Sequence, residues 1–404
     1  MNDNDQRPLS ELPPETDTPS RPEEKAPGTG GCPYPYGQPG PAVPPPGDRW
    51  YPPEGYPYRA PAPVYAPAGD PLYENKRAAR REIFSLGLVL GAAFLLHLLF
   101  SRIYAFSIRG SETFLSLYRN DLHVQYLMDT LYSLLAVGLP FLIIYLFLRR
   151  TRAGKNVEIP LGPTYPDSRM GLLVFAGLGF CMIGSLVTNY FAVFADSIGL
   201  GFTSFYEALE GYDTPEDAVG FVLMLLRTAL VPAVVEELCF RGVILQSLRK
   251  YGDWFAIGIT AFLFGLMHAN MTQMPFAIIA GFAMGYAAVV TGSLRTSILI
   301  HFLNNFISCV AQIALAYLPE GAGRAADAVL IYVPILIGVI CFAVYVMRRR
   351  NCMRLYGWED KGKLTKKARF FLLAPTMLIA IVILSFNTIC DIKVVGDALL
   401  GGWM

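Results

Sequence analysis

From Ile83 onward the sequence is a succession of apolar blocks, each close to the ~20 residues a helix needs to cross the hydrocarbon of a bilayer. They lie at roughly 83–101, 126–148, 170–195, 218–240, 254–270, 275–292, 297–318, 328–347 and 370–390, and the fifth is the shortest. The blocks predict an all-α polytopic membrane protein with about eight to nine transmembrane helices. Composition agrees: 53% of residues are hydrophobic, 16% are charged and the mean hydropathy is +0.40. Lys and Arg set the expected orientation. Lys76, Arg77, Arg80 and Arg81 precede the first block, RRTRAGK follows the second, Arg249 and Lys250 follow the fourth, Arg295 precedes the seventh and RRR at 348–350 follows the eighth. In a nine-span arrangement all of these face one side, which predicts a cytoplasmic N-terminus and Met404 outside. No internal repeat is evident, which argues against an inverted-repeat transporter.

Residues 1–75 are of a different composition. The stretch PYPYGQPGPAVPPPGDRWYPPEGYPYRAPAPVYAPAG is rich in Pro, Gly and Tyr and has no apolar period. It cannot bury enough surface to offset its ordering entropy, so it reads as a disordered cytoplasmic tail, a spacer or a docking ligand for a cytoplasmic partner. The transmembrane helical domain is expected over 76–404. No apolar run follows Met1, so no signal peptide is expected there. The seven cysteines are scattered without a C-x-x-C pair and read as small core residues. Net charge is near zero and no nucleic-acid partner is expected.

One block breaks the apolar rule. VPAVVEELCFRGVIL, 231–245, places Glu236, Glu237 and Arg241 inside a spanning segment. Each charge at a helix centre costs about 2.5–3.5 kcal/mol on insertion scales, so three within six residues need partners or a wet cavity. Glu237 and Arg241 are four apart, on one face, with the acid on the favourable N-terminal side for an ion pair. Glu236 lies about 100° away around the helix and is left comparatively free. Pro232, four residues before Glu236, removes a backbone hydrogen bond and should kink the helix there.

Two of the four histidines stand in comparable settings. His268 ends TAFLFGLMH, with Phe264 one turn before it; His301 opens HFLNN, with Asn305 one turn after it on the same face. Glu236 lies 15 residues before Tyr251 and His268 lies 15 after Asp253. An antiparallel helix pair turning at 251–253 would bring them to one height. Only Ala269 to Gln273 then separate His268 from the next block, so that segment should dip and return inside the protein unless His268 lies deeper. His97 and His123 have no such sequence partners and read as packing or loop residues. Asn304 is expected to point away from Asn305 and is given no role.

Taken together, Glu236-Glu237-Leu-Cys-Phe-Arg241, Phe264-Gly-Leu-Met-His268 and His301-Phe-Leu-Asn-Asn305 resemble the CPBP family, the CAAX proteases and bacteriocin-processing enzymes also called Abi intramembrane proteases. The family pattern E-E-x-x-x-R, F-x-x-x-H, H-x-x-x-N or D is met in order, and the similarity covers about 218–318. The resemblance implies an intramembrane endopeptidase acting on a membrane-associated protein or peptide in the lipid bilayer, and the residue chemistry fits it. Amide hydrolysis needs an activated water, a stabilised oxyanion and a proton for the leaving amine. Glu236 would take the proton from a water held also by His268, His301 and Asn305 would face the oxyanion, and Glu237 with Arg241 would hold the charged helix in place. A second version has Glu236, His268 and His301 binding zinc with a water as the remaining ligand; what the resemblance implies favours the metal-free route, and no cofactor is expected. Two other classes stay open on the residues alone, a transporter using the charges as a relay and a non-proteolytic membrane scaffold or immunity protein. A bacterial plasma membrane is the expected location.

Overall fold

Helices make up every regular element longer than one turn among the described residues, which are 76–151, 153–164, 169–198, 214–271, 273–348, 355 and 364–400 of this computed structural model. All lie in one unit, Gly31–Met404. The tail expected over 1–75 falls outside the described residues, as do 349–354 and 356–363 of the basic loop. The helices are α1 (Lys76–Arg109), α2 (Glu112–Asn120), α3 (Leu122–Leu148), α4 (Met170–Ser197), α5 (Ala218–Tyr251), α6 (Asp253–Met267), α7 (Gln273–Thr291), α8 (Leu294–Tyr317), α9 (Glu320–Arg348), α10 (Leu364–Leu372) and α11 (Pro375–Leu400).

Seven of them, α1, α3, α4, α5, α7, α8 and α9, are long and apolar enough to cross a membrane, and the pair Lys366–Leu372 and Pro375–Thr388, bent by 82°, makes an eighth if counted as one span. Helices of this length and hydropathy make the chain an integral membrane protein. Large apolar side chains such as Leu142, Phe191, Leu336 and Val382 are correspondingly exposed on the outer faces of the bundle, where lipid rather than water is their solvent.

The block at 254–270 does not reach crossing length. It is α6, 15 residues, a rise of about 22 Å against ~30 Å of hydrocarbon. Hydropathy runs unbroken through His268, but the backbone does not. The His268 ring turns back onto the Phe264 carbonyl at 2.8 Å, and Ala269 takes φ 49°, the left-handed conformation that ends helices. Asn270 then accepts from the Gln273 N–H at 3.2 Å to open α7. The chain therefore reverses between α6 and α7.

Local chemistry fixes the other helix starts. Asp121, Asp217 and Ser293 are N-caps of α3, α5 and α8, each accepting from a backbone N–H of the first turn. The α5–α6 hairpin turns at Gly252, whose φ of 122° suits only glycine. Its base is pinned by the Arg249–Asp253 ion pair at 2.8 Å and by Lys250, which reaches Glu82 on α1 and the Ala153 carbonyl. Behind the hairpin, α4 and α9 cross at Gly179 and Gly338. A Cβ on either would come under 3.0 Å from the other's backbone, the close approach small residues permit in membranes.

Candidate functional site

Helix α5 is irregular where its charges sit. Two wide turns with i→i−5 hydrogen bonds, Leu226–Leu230 and Leu238–Ile244, flank the segment Val231–Glu237. Each such turn accommodates an extra residue and re-aims the side chains that follow. Pro232 is the sequence cause at the first, because it has no N–H to offer the preceding turn. The Thr228 carbonyl, four residues back, accepts instead from Asn305 Nδ2 on α8 at 2.9 Å. The proline thus frees an acceptor, and α8 is tied to α5 by it.

Below that tie lies a sealed charge cluster. Glu237 and Arg241 are both 0% exposed, and Arg241 Nη1 donates to Glu237 Oε1 at 2.7 Å. His301, 6% exposed, donates from Nδ1 to the same oxygen at 3.1 Å. Arg241 Nη2 adds a 3.3 Å bond to the Gly281 carbonyl of α7, and its guanidinium lies over the Phe264 ring, 4.4 Å from the centroid. A side chain at position 281 would meet Ala261 Cα at 3.0 Å and Arg241 at 3.4 Å, so glycine there is what lets α7 close on the arginine. Burying two opposite charges stabilises little by itself; removing one of them is costly. The cluster locks three helices in one arrangement.

Glu236 has a different environment. Its side chain is 17% exposed, and its Oε2 lies 3.9 Å from His301 Nε2. That is too long for a hydrogen bond, and this oxygen has no hydrogen-bond partner among the described residues. Phe264 organises the remaining side. Its ring makes edge contacts with His268 at 4.9 Å, His301 at 5.9 Å and Phe240 at 5.0 Å between centroids. Because the Phe264 carbonyl can only accept, His268 carries its proton on Nδ1 and its Nε2 is an acceptor. Asn305 is committed on both ends, donating to Thr228 and accepting from Asn304 Nδ2 at 3.0 Å.

Residues 218–307 match the family model described as type II CAAX prenyl endopeptidase Rce1-like. That segment of the chain is similar to the Rce1-like family. A curated protein of Bacillus subtilis (strain 168), "Putative membrane peptidase YdiL", is 25% identical over 92 residues, a match covering 22% of this chain and 38% of that protein. The chain thus spans well under half the length of this curated relative. No solved structure matches.

The matched segment takes in α5, α6, α7 and most of α8, and all six side chains singled out in the sequence lie within it. The structure brings Glu236, Glu237, Arg241 and His301 into one cluster, and His268 stands one phenyl ring away from His301. Asn305 sits one turn beyond His301 with its amide held by protein groups. Asn304 does not point elsewhere, as the sequence suggested: it is 6% exposed and hydrogen-bonds Asn305. Adjacent helical residues point about 100° apart, yet two short amides can still meet across that angle. Phe264 had been read only as part of a spacing, and the Thr228 carbonyl not at all; the i−4 position relative to Pro232 was the signal for the latter. Among the described residues no group of three His, Cys, Asp or Glu side chains is disposed to hold a metal ion. No step below runs through a metal.

Proposed function

We propose that the protein is an intramembrane endopeptidase that hydrolyses a peptide bond of a membrane-associated protein or peptide using a water activated by Glu236. The observation that carries this reading is the Glu236 carboxylate, whose Oε2 has no hydrogen-bond partner among the described residues and lies 3.9 Å from His301 Nε2. The match of 218–307 to an endopeptidase family supports it.

In this reading Glu236 takes a proton from the water as its oxygen bonds to the substrate carbonyl carbon, with His268 Nε2 accepting the water's second hydrogen. The oxyanion that forms is met by Nε2–H of the His301 imidazolium, whose Nδ1–H is held by the Glu237 carboxylate. The second hydrogen of Asn305 Nδ2 is the further donor. Glu236 then returns its proton to the amine nitrogen, the C–N bond breaks and a carboxylate and an amine leave. Glu237 and Arg241 act by holding His301 and α5 in register. The tail on the cytoplasmic side of a bacterial plasma membrane completes the reading.

The experiment is Glu236→Gln, nearly isosteric and unable to act as base. General-base loss lowers turnover by about 10²–10⁴-fold, so cleavage products should vanish from the membrane peptides of cells carrying the variant. A scaffold would keep its partners and a relay its flux. Zinc content of the purified protein tests the metal-free route separately.

A further inference from the structure

The match at 218–307 leaves α1 outside it, yet α1 carries an ionisable group in the middle of its apolar run, LGAAFLLHLLF. An ionisable side chain at such a depth is a functional candidate by default. Two contacts fix how α1 runs beside α5. Glu82 pairs with Lys250, and Phe94 meets Phe240 edge-on at 6.1 Å. The helices are therefore antiparallel. His97 lies 15 residues beyond Glu82, and Glu236 lies 14 before Lys250; at 1.5 Å per residue each is about 21–22 Å from the shared end. The two side chains belong to one level.

The third wall of this corner is α3. His97 is 5% exposed, and its Nδ1 is 2.7 Å from the Ala136 carbonyl. A carbonyl only accepts, so Nδ1 carries the hydrogen and Nε2 holds a free lone pair. No group among the described residues hydrogen-bonds that nitrogen. Ala136 belongs to a wide turn of α3, Ser133–Gly138. The residues after it face α5 on both sides of Glu236: the Val137 carbonyl accepts from Cys239 Sγ at 3.9 Å, and Gly138 lies against Val235. Glu236 is the charged side chain whose field reaches the imidazole. From α3 the nearest titratable group at this level is Tyr132, bonded to Ser101 on α1. The side chains of α11 packed on α1, Thr376, Met377, Ala380 and Leu384, carry no charge.

We propose that His97 is a positioning residue for Glu236: with Nδ1–H anchored on the Ala136 carbonyl, its Nε2 accepts from the Glu236 carboxyl, directly or through one water, once that carboxyl has taken a proton. His97 thereby orients the acid for the return of the proton to the leaving amine. No bond is made or broken at His97. The role of Glu236 as base is taken from the proposed function, but the pairing of the two side chains stands apart from it.

The test uses the full chain in lipid nanodiscs with ¹⁵N-labelled histidine. The ring nitrogens of His97, assigned by loss of its signals in His97→Gln, are followed through a pH titration with and without Glu236→Gln. The expected result is that Glu236→Gln moves the titration of His97 and leaves that of His123 in place, while Asp217→Asn, removing the partner 2.9 Å from His123, does the reverse. An unmoved His97 overturns the proposal whatever the cleavage data show. The second arm counts the membrane-peptide products that require Glu236. His97→Phe, which keeps a ring and loses both hydrogen bonds, should lower them tenfold to a hundredfold. His97→Gln, whose amide can donate to Ala136 and accept from Glu236, should recover part of that loss. Equal products from His97→Phe and wild type would overturn the positioning role. Coupling in the titration together with products that survive Glu236→Gln would leave the pairing standing and sink the proposed function instead.

Discussion

Helix α5 carries two ionic sites that differ in what surrounds them. Toward its N-terminus, Arg227 pairs with Asp129 of α3 at 2.7 Å with both side chains 22% exposed, and Asp217 meets His123 at 2.9 Å in the open. Tyr118 of α2 also donates to Asp129, and burial together with that carboxylate pushes its phenol up to about 12, so it stays a donor. Three turns further along, Glu237 and Arg241 are sealed from solvent and pair with each other, with His301 of α8 and with the Gly281 carbonyl of α7. Solvent can replace a lost partner at the first site and cannot at the second. Only the sealed site can dictate geometry, and it does so next to Glu236, whose Oε2 has no hydrogen-bond partner among the described residues.

The largest effect should come from splitting the sealed pair. Arg241→Met leaves Glu237 buried without its cation and should cost about 3–5 kcal/mol, read as a fall in the unfolding midpoint in detergent. Replacing Glu237 by Leu at the same time should recover much of it, since two apolar side chains leave no stranded charge. A single variant no worse than the double would break the comparison.

A smaller loss is expected at the Thr228–Asn305 tie. Asn305→Ala strands the Thr228 carbonyl and the Asn304 amide, about 1–3 kcal/mol. Pro232→Ala returns an N–H that can satisfy Thr228 within α5, so the double variant should be more stable than the summed single losses imply. Strict additivity would show that the proline does not free that carbonyl.

At the outer site, Asp129→Asn should change stability by no more than about 1 kcal/mol, because the pair is partly solvated. Asp217 gives the smallest effect and one that depends on pH. The Gly220 N–H, followed by His123, holds its carboxyl below the usual carboxylate value. A depressed folded value means that its contribution is present above the ordinary carboxylate range and is lost as pH falls through the folded value. Asp217→Asn should lower stability slightly at neutral pH and leave the acid limit unchanged, which flattens the acid slope of the profile. An unaltered acid slope would remove Asp217 as its source.

Much of this arrangement was legible before any coordinates. A four-residue interval put Glu237 and Arg241 on one face, and two 15-residue arms around 251–253 put Glu236 and His268 at one height. Charged spacing on a helix is governed by geometry that the sequence states outright. That block 254–270 is the shortest was legible, but the residue at which α6 ends was not, because an apolar run gives no sign that Ala269 will take a left-handed backbone. The wide turns of α5 and the acceptor role of Thr228 depend on which way α8 faces, a long-range fact that no local pattern encodes. The His97–Ala136 hydrogen bond was not legible for the same reason: its acceptor lies on α3, 39 residues away in sequence.

The central claim is that Glu236, flanked by His301 and His268, primes a water against a peptide bond within the membrane. Comparison of membrane peptides from cells expressing wild type and Glu236→Gln at equal levels tests it most directly. The account predicts a defined set of products present only with wild type, and their uncut precursors accumulating with the variant. Identical peptide populations from the two would contradict it.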